Sequence, residues 1–468
     1  MASKKQTTNA QRKTAPASKQ TATTQPAAQP ANGRKRKATE TEDVPSPPTK
    51  RITRSQKQAA PVVVDDDNSE NINRLLPLLE IMRPPASDRI QYTAARSRQT
   101  HNKRPEAYFL SKEEARTLLR GPKDVRAPVF VSGGAQDVHE PPSRPIEHAL
   151  TEWFLDAMEE VVFDDTEGTN RNVTIEQLRE HFITPSEKKD NGYPWNLPDI
   201  TNPMAPRCIP SFCQSLNCHL LRDIYRIVLD VEEKNICQDN CPERKPHGQC
   251  CDHTPHEITP SELADLSSCA RQHEGTLMIS DPGSITGPHW DRWCFGTHLS
   301  CYEGEWGLSW LSHPTLEQRM IWTDPGKSDN KPEGSWLYKV FREGDAVYMP
   351  PGTVHVVFRL PEGKQTLGAA GHVLRRSTDW KNWLKMLIHD KATTLVREGE
   401  EAGKDFLAIF GPLVKTLAFL LDQVETEDEI ERYGGKKRVK SARKLLKTLE
   451  RQVAEVVETV KTRAANSS

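Results

Sequence analysis

The strongest constraint on this chain is a series of short apolar segments between residues 276 and 358, each closed by turn residues and none followed by a helical pattern. Residues 276–280 (Thr-Leu-Met-Ile-Ser) run into Asp281-Pro282-Gly283, and 297–302 run into Glu303-Gly304-Glu305 before 306–311. Gly344-Asp345 opens 346–349, Pro350-Pro351-Gly352 ends it, and 355–358 follow. Runs of this length, punctuated by Gly, Pro and Asp, read as strands. Many strands with no intervening helix indicate a small β-barrel or a double-sheet jelly roll.

Within this region lie His289-x-Asp291 and, sixty-odd residues later, His355. Strand side chains alternate with period two, so His289 and Asp291 are expected on one face. A third ligand from a neighbouring strand completes a two-histidine, one-carboxylate triad, which leaves coordination positions open. A lone His-x-Asp is common by chance, and the surrounding strand pattern is what gives this one weight.

Thr286 through Asp291 (Thr-x-x-His-x-Asp), the Glu303-Gly304 turn, the block from Gly344-Asp345 to His355 and the closing Gly371-His372-Val373-Leu374 occur in order. In these elements residues 260–376 resemble a Jumonji-C (JmjC) domain of the Fe(II)- and 2-oxoglutarate-dependent oxygenases. Residues 128–218 resemble the leader of fungal members. The resemblance implies an α+β protein built on a double-stranded β-helix (cupin or jelly-roll barrel), with a helical N-terminal buttress and a C-terminal helical region. It implies Fe(II) held by His289, Asp291 and His355, and 2-oxoglutarate bonded by the Thr286 hydroxyl. Where the family places a lysine for the distal carboxylate, this chain has Trp306. A buried anion without a cation is costly. Arg359, four residues after His355, is one replacement; a barrel-mouth or surface position is the other reading of Arg359, and the one favoured by its residue type. Trp306 is read equally as a packing residue filling the cosubstrate space.

The expected organisation is a disordered arm at 1–71, a mainly helical region at 72–258, the barrel at 259–378 and a helical region at 379–468. Residues 1–60 carry 13 Lys and Arg against 3 acidic residues, about +10 in a chain whose net charge is −1. The basic clusters 34–37 and 50–54 fit nuclear import or phosphate contact; a merely solvated tail is the alternative. Neither a signal peptide nor an apolar run of membrane-spanning length is read.

Helix signals fall at 73–83, at 111–119 with Ser111 as cap, at 146–162, 174–182, 215–228 and 379–388, and over 393–421. Val439, Ala442, Leu446, Leu449, Val453, Val456 and Val460 repeat at three and four residues, a seam within 437–462. This is either a coiled coil that forms a homodimer or engages a partner, or a terminal helix packed on its own domain. Cys237, Cys241, His247, Cys250, Cys251, His253 and His256 supply seven soft ligands in twenty residues, enough for a structural zinc. A Cys/His-rich surface loop is the alternative reading.

Two functional expectations follow. One is a nuclear oxygenase acting on a protein substrate such as a histone tail, as a lysine demethylase or protein hydroxylase. The other is a catalytically inactive JmjC-like module for chromatin or protein interaction, favoured by Trp306.

Overall fold

Apolar runs bounded by Gly, Pro and Asp fold as strands, and segments opened by Ser or Thr fold as helices. A computed structural model describes residues 92–94, 105–132, 145–153, 161–165, 170–183, 194–202, 208–235, 267, 270–271, 273–291, 294–315, 317–319, 334–361, 363–397 and 411–467. The basic arm, the helix expected at 73–83 and all seven zinc candidates (Cys237, Cys241, His247, Cys250, Cys251, His253 and His256) lie outside them.

The described chain begins with β1 (Tyr92–Ala94), β2 (Tyr108–Leu110), α1 (Lys112–Arg120) and β3 (Val129–Val131). Next come α2 (Pro145–His148), continued by one π turn (Ala149–Trp153), β4 (Val161–Asp165), β5 (Asn170–Val173), α3 (Ile175–Phe182), β6 (Trp195–Thr201) and α4 (Leu220–Asn235). Ser111 caps α1 and Thr174 caps α3, each in a reciprocal capping box with Glu114 or Gln177, which satisfies otherwise orphaned first-turn donors.

Two expectations in this region are corrected. Of the helix read over 146–162, the described residues are helical to Trp153, but Val161 and Val162 pair with β5 as strand. Their β-branched side chains suit a pleated sheet better than a helix. The helix read over 215–228 starts at Leu220, after a 3-10 turn at Leu216–Cys218, and Leu216 faces solvent at 82% exposure rather than joining the apolar stripe. Six strands also come from residues 92–201, so the described residues before β7 are a mixture of helix and strand.

Eight strands follow: β7 (Thr276–Ser280), β8 (Ile285–His289), β9 (Gly296–Glu303), β10 (Trp306–Leu311), β11 (Trp336–Phe341), β12 (Ala346–Met349), β13 (His355–Arg359) and β14 (Thr366–Val373). They divide four and four. One sheet contains the order β11-β10-β13-β8, extended by β1; the other contains β12-β9-β14-β7, extended by β2 and β3 on one side and by β6, β4 and β5 on the other. All pairings among the eight are antiparallel. The fold is α+β, with two antiparallel-rich sheets.

The sheets share one core, in which Trp306, Leu308, Trp310, Leu337, Phe341 and Val357 of the first meet Met278, Leu299, Cys301, Val347 and Met349 of the second. Close approaches require glycine at two points. Gly304 turns between β9 and β10 at φ +78°, and a Cβ on Gly307 would lie 2.1 Å from the Phe358 ring opposite it.

Helices α5 (Asp379–Arg397), α6 (Gly411–Asp422), α7 (Glu427–Arg432) and α8 (Lys436–Ser467) complete the chain. Val439, Ala442, Leu446 and Leu449 of α8 are buried with Trp380, Trp383 and Leu384 of α5, Leu417 of α6 and Ile224 of α4. That half of the seam is therefore covered by its own domain. Among the described residues, no helix is long and apolar enough to cross a membrane.

Candidate metal centre

The antiparallel register of β8 and β13 sets His289 directly opposite His355, and their rings stand 4.2 Å apart between centroids. β8 ends at His289, so Asp291 lies two residues beyond the strand rather than within its alternation. The Cys294 amide donates to the Asp291 carbonyl, and Asp291 Oδ1 lies 3.8 Å from His355 Nε2. One ligand atom from each of His289, Asp291 and His355 falls within 4.8 Å of the others. That is the spacing of groups that can share one metal ion.

The outer contacts prepare these groups as ligands. His289 Nδ1 lies 2.8 Å from the Gly287 carbonyl, and His355 Nδ1 lies 3.0 Å from the Thr353 carbonyl. A carbonyl only accepts, so each Nδ1 carries the proton and each Nε2 keeps its lone pair for an ion. Burial pushes the His355 imidazole down to about 4, with the His289 ring adding to the effect while Asp291 and the Thr353 carbonyl oppose it, so it is neutral at pH 7. Burial alone would raise the Asp291 carboxyl. The His355, His372 and His289 rings and the Thr297 hydroxyl more than offset it and hold the group below its ordinary range, in the ionised form that binds a cation.

Below the triad the interior is layered by register. His355, Trp310 and Leu337 face one another across β13, β10 and β11; the next layer is Val357, Leu308 and Lys339; the third is Arg359, Trp306 and Phe341. Successive layers are about 7 Å apart along the strands. Thr286 stands opposite Val357 and so joins the second layer, where its hydroxyl accepts from Asn196 Nδ2 at 3.1 Å. Asn196 is in turn bonded by Ser280 Oγ at 2.9 Å, and thus ties β6 to β8 across the two sheets.

Arg359 is not on the surface, which corrects the reading its residue type favours. It is 2% exposed, with Nε and Nη1 buried and without hydrogen-bond partners, and burial pushes its pKa down to about 9. Trp306, opposite Arg359, is 1% exposed and stacks on Phe341 at 4.6 Å between centroids. It packs the deep end of the interior.

Sequence reasoning named His289, Asp291 and His355, which the structure brings together, and Thr286, which stands one layer below them. It passed over Thr297, Asn196 and Lys339 as site residues, and His372 appeared only within the closing block. The alternation of 336–341 would have placed Lys339 inward had that strand been recognised. Asn196 carries no local signal.

A cavity of about 340 Å³ is lined by Trp310, His313, Arg319, Thr353 and Lys385 among others. It contains none of the triad but shares Trp310 and Thr353, the residues that flank His355.

No family model matches the chain, and no curated protein matches it. A solved structure described as the crystal structure of Drosophila melanogaster CENP-C bound to CAL1 is similar over 21% of this chain and 63% of that chain, at 14% identity and a TM-score of 0.16. A likeness of that size carries no argument about this chain's fold or function.

Proposed function

We propose that the eight strands β7 to β14 form a double-stranded β-helix of the JmjC type and that the protein is an Fe(II)- and 2-oxoglutarate-dependent oxygenase. The observation that carries this reading is the convergence of His289, Asp291 and His355 at one end of a two-sheet interior, with both Nε2 atoms left for an ion. The strand order supports the barrel, because consecutive strands alternate between the sheets except at the β10–β11 hairpin.

The two-nitrogen, one-carboxylate donor set suits Fe(II). An unpaired guanidinium in the same interior suits an oxo-acid, since a buried cation without a partner is costly and a carboxylate would answer it. Thr286 and Arg359 would hold the distal carboxylate, with Lys339 in the Thr286 layer. Bound Fe(II) and 2-oxoglutarate would supply oxidative decarboxylation coupled to oxidation of a C–H bond. The chain's own residues bind and orient: the two Nδ1–H···O=C bonds fix the imidazole planes, Asn196 aims the Thr286 hydroxyl, and Trp306 with Phe341 excludes water from the deep end.

The substrate class that fits the family resemblance is a protein side chain, either methyl-lysine in a histone tail or a hydroxylation target. Nuclear location rests on the basic clusters at 34–37 and 50–54. A second reading, an inactive module that binds chromatin or another protein, is favoured by one observation: Trp306 fills the space across from Arg359.

Calorimetric titration of 2-oxoglutarate into anaerobic Fe(II)-loaded protein separates the two. Binding that disappears in His289→Ala and in Arg359→Met supports the oxygenase. Iron retained with no 2-oxoglutarate heat at millimolar concentration rejects it in favour of the inactive module.

A further inference from the structure

Asp291 is restrained through one oxygen only. Thr297 Oγ1 lies 2.5 Å from Asp291 Oδ2, whereas Oδ1 stands 3.8 Å from His355 Nε2, on the ligand side. An ionised carboxylate only accepts, so the single Thr297 proton is directed at Oδ2. The hydroxyl has nothing left to donate to its other neighbour, His372 Nδ1 at 3.2 Å. It must accept there, which places the proton of His372 on Nδ1.

This pair is rigidly mounted. Thr297 is 1% exposed, near the start of β9, and its backbone is paired with Met349 on one side and His372 on the other. The His372 ring is held edge-on to His273 at 4.9 Å, and His273 is hydrogen-bonded to Tyr225 of α4. The hydroxyl that engages Oδ2 is thus fixed by the sheet and backed by a helix.

We propose that Thr297 and His372 are positioning residues that hold Asp291 to coordination through Oδ1 alone, keeping three metal positions open instead of two. The inference rests on reading the triad as a metal centre. A carboxylate with both oxygens free chelates readily. Two imidazoles and a chelating carboxylate occupy four of six octahedral positions and leave two. An oxo-acid bound through two oxygens would then fill the site and exclude a second reactant. With Oδ2 engaged by Thr297, the same three side chains occupy three positions, and two co-reactants fit together. A closed structural metal site has no use for such a restraint.

The test uses the full chain, Mn(II) as probe, and the longitudinal relaxation of water protons, which counts exchangeable waters on each bound ion. Wild type, Thr297→Val, Thr297→Ser, His372→Leu and His372→Asn are compared, with His355→Ala as the control for the centre. The expected result is that Thr297→Val weakens Mn(II) binding about 10- to 100-fold and lowers relaxivity per bound ion by about a third, as three open positions become two. Thr297→Ser keeps the hydroxyl and both properties. His372→Leu moves in the direction of Thr297→Val, and His372→Asn, which retains a donor near the Nδ1 position, moves back. The His372 pair carries the test if Thr297→Val fails to fold. Unchanged relaxivity per bound ion in Thr297→Val and His372→Leu overturns the proposal while the metal centre stands. Wild type that binds Mn(II) no better than His355→Ala removes the centre and the proposal together.

Discussion

Arg375 and Arg359 are both withdrawn from water, at 0% and 2% exposure, but their surroundings differ. Arg375 Nε donates to the Leu119 carbonyl, Nη2 to the Gly121 and Lys123 carbonyls, and Nη1 faces Asp379 at 3.5 Å. Asp379 also accepts from the Tyr348 hydroxyl, Thr378 Oγ1 and the Arg375 amide. This cluster joins the end of α1 to the start of α5 and to β12. Around Arg359, by contrast, Nε and Nη1 have no partner. A buried charge whose hydrogen bonds are made within the chain acts as a lock, and the unanswered one is the feature on which the proposed oxo-acid site rests.

The contrast breaks most visibly if the answered cluster proves dispensable. Asp379→Ala strands a buried guanidinium and is expected to cost about 3–5 kcal/mol, measured by urea denaturation; a loss below 1 kcal/mol would refute the lock. Arg359→Met is expected to leave stability unchanged or raise it by up to a few kcal/mol, because an unanswered buried cation is removed, while 2-oxoglutarate binding disappears. Destabilisation on the scale of Asp379→Ala would mean that Arg359 is structural.

His298 sharpens the comparison with a buried group that escapes the cost by staying neutral. Both of its ring nitrogens are unpartnered, and burial, with the His372 charge adding to it, pushes its pKa from 6.5 down to about 3. The unfolded chain therefore takes up a proton that the folded chain refuses as pH falls below 6.5. Its stabilising contribution is complete above that value and is lost on acidification towards pH 3, at about 1.4 kcal/mol per pH unit in the middle of the range. His298→Leu should remove one proton from the slope of stability against pH; an unaltered slope would contradict the assignment. Smallest of all, Lys436 and Glu427 pair at 3.2 Å with both side chains exposed. Lys436→Ala should change stability by less than about 1 kcal/mol in the same denaturation assay, since water already solvates both ions.

Five of the strands β7 to β14 and the His289, Asp291 and His355 triad were legible because both kinds of signal are local. Segments such as 276–280 pair an apolar run with a Pro or Gly stop, and His289-x-Asp291 is a pattern of three residues. β11 was harder to see: five of its six residues are buried, on both faces, so the polar–apolar contrast that marks a half-buried strand is nearly absent. Residues 146–162 misled because apolar side chains spaced for a helix happened to run into Val161-Val162-Phe163, which the sheet claimed. Thr297 meets His372 across 75 residues, and Asn196 meets Thr286 across 90. Contacts of that kind are produced by sheet order, which no short window of sequence contains.

β8 is an edge strand of its sheet among the described residues, held there by β13 through a ladder that slips register between His355 and Val357. An ion bridging His289 and His355 would act as a cross-link over that irregular seam. The amides of β8 should then exchange with deuterium slowly when metal is bound and quickly when it is chelated away. Site occupancy would thus be recorded in the backbone of a single strand, readable without any turnover.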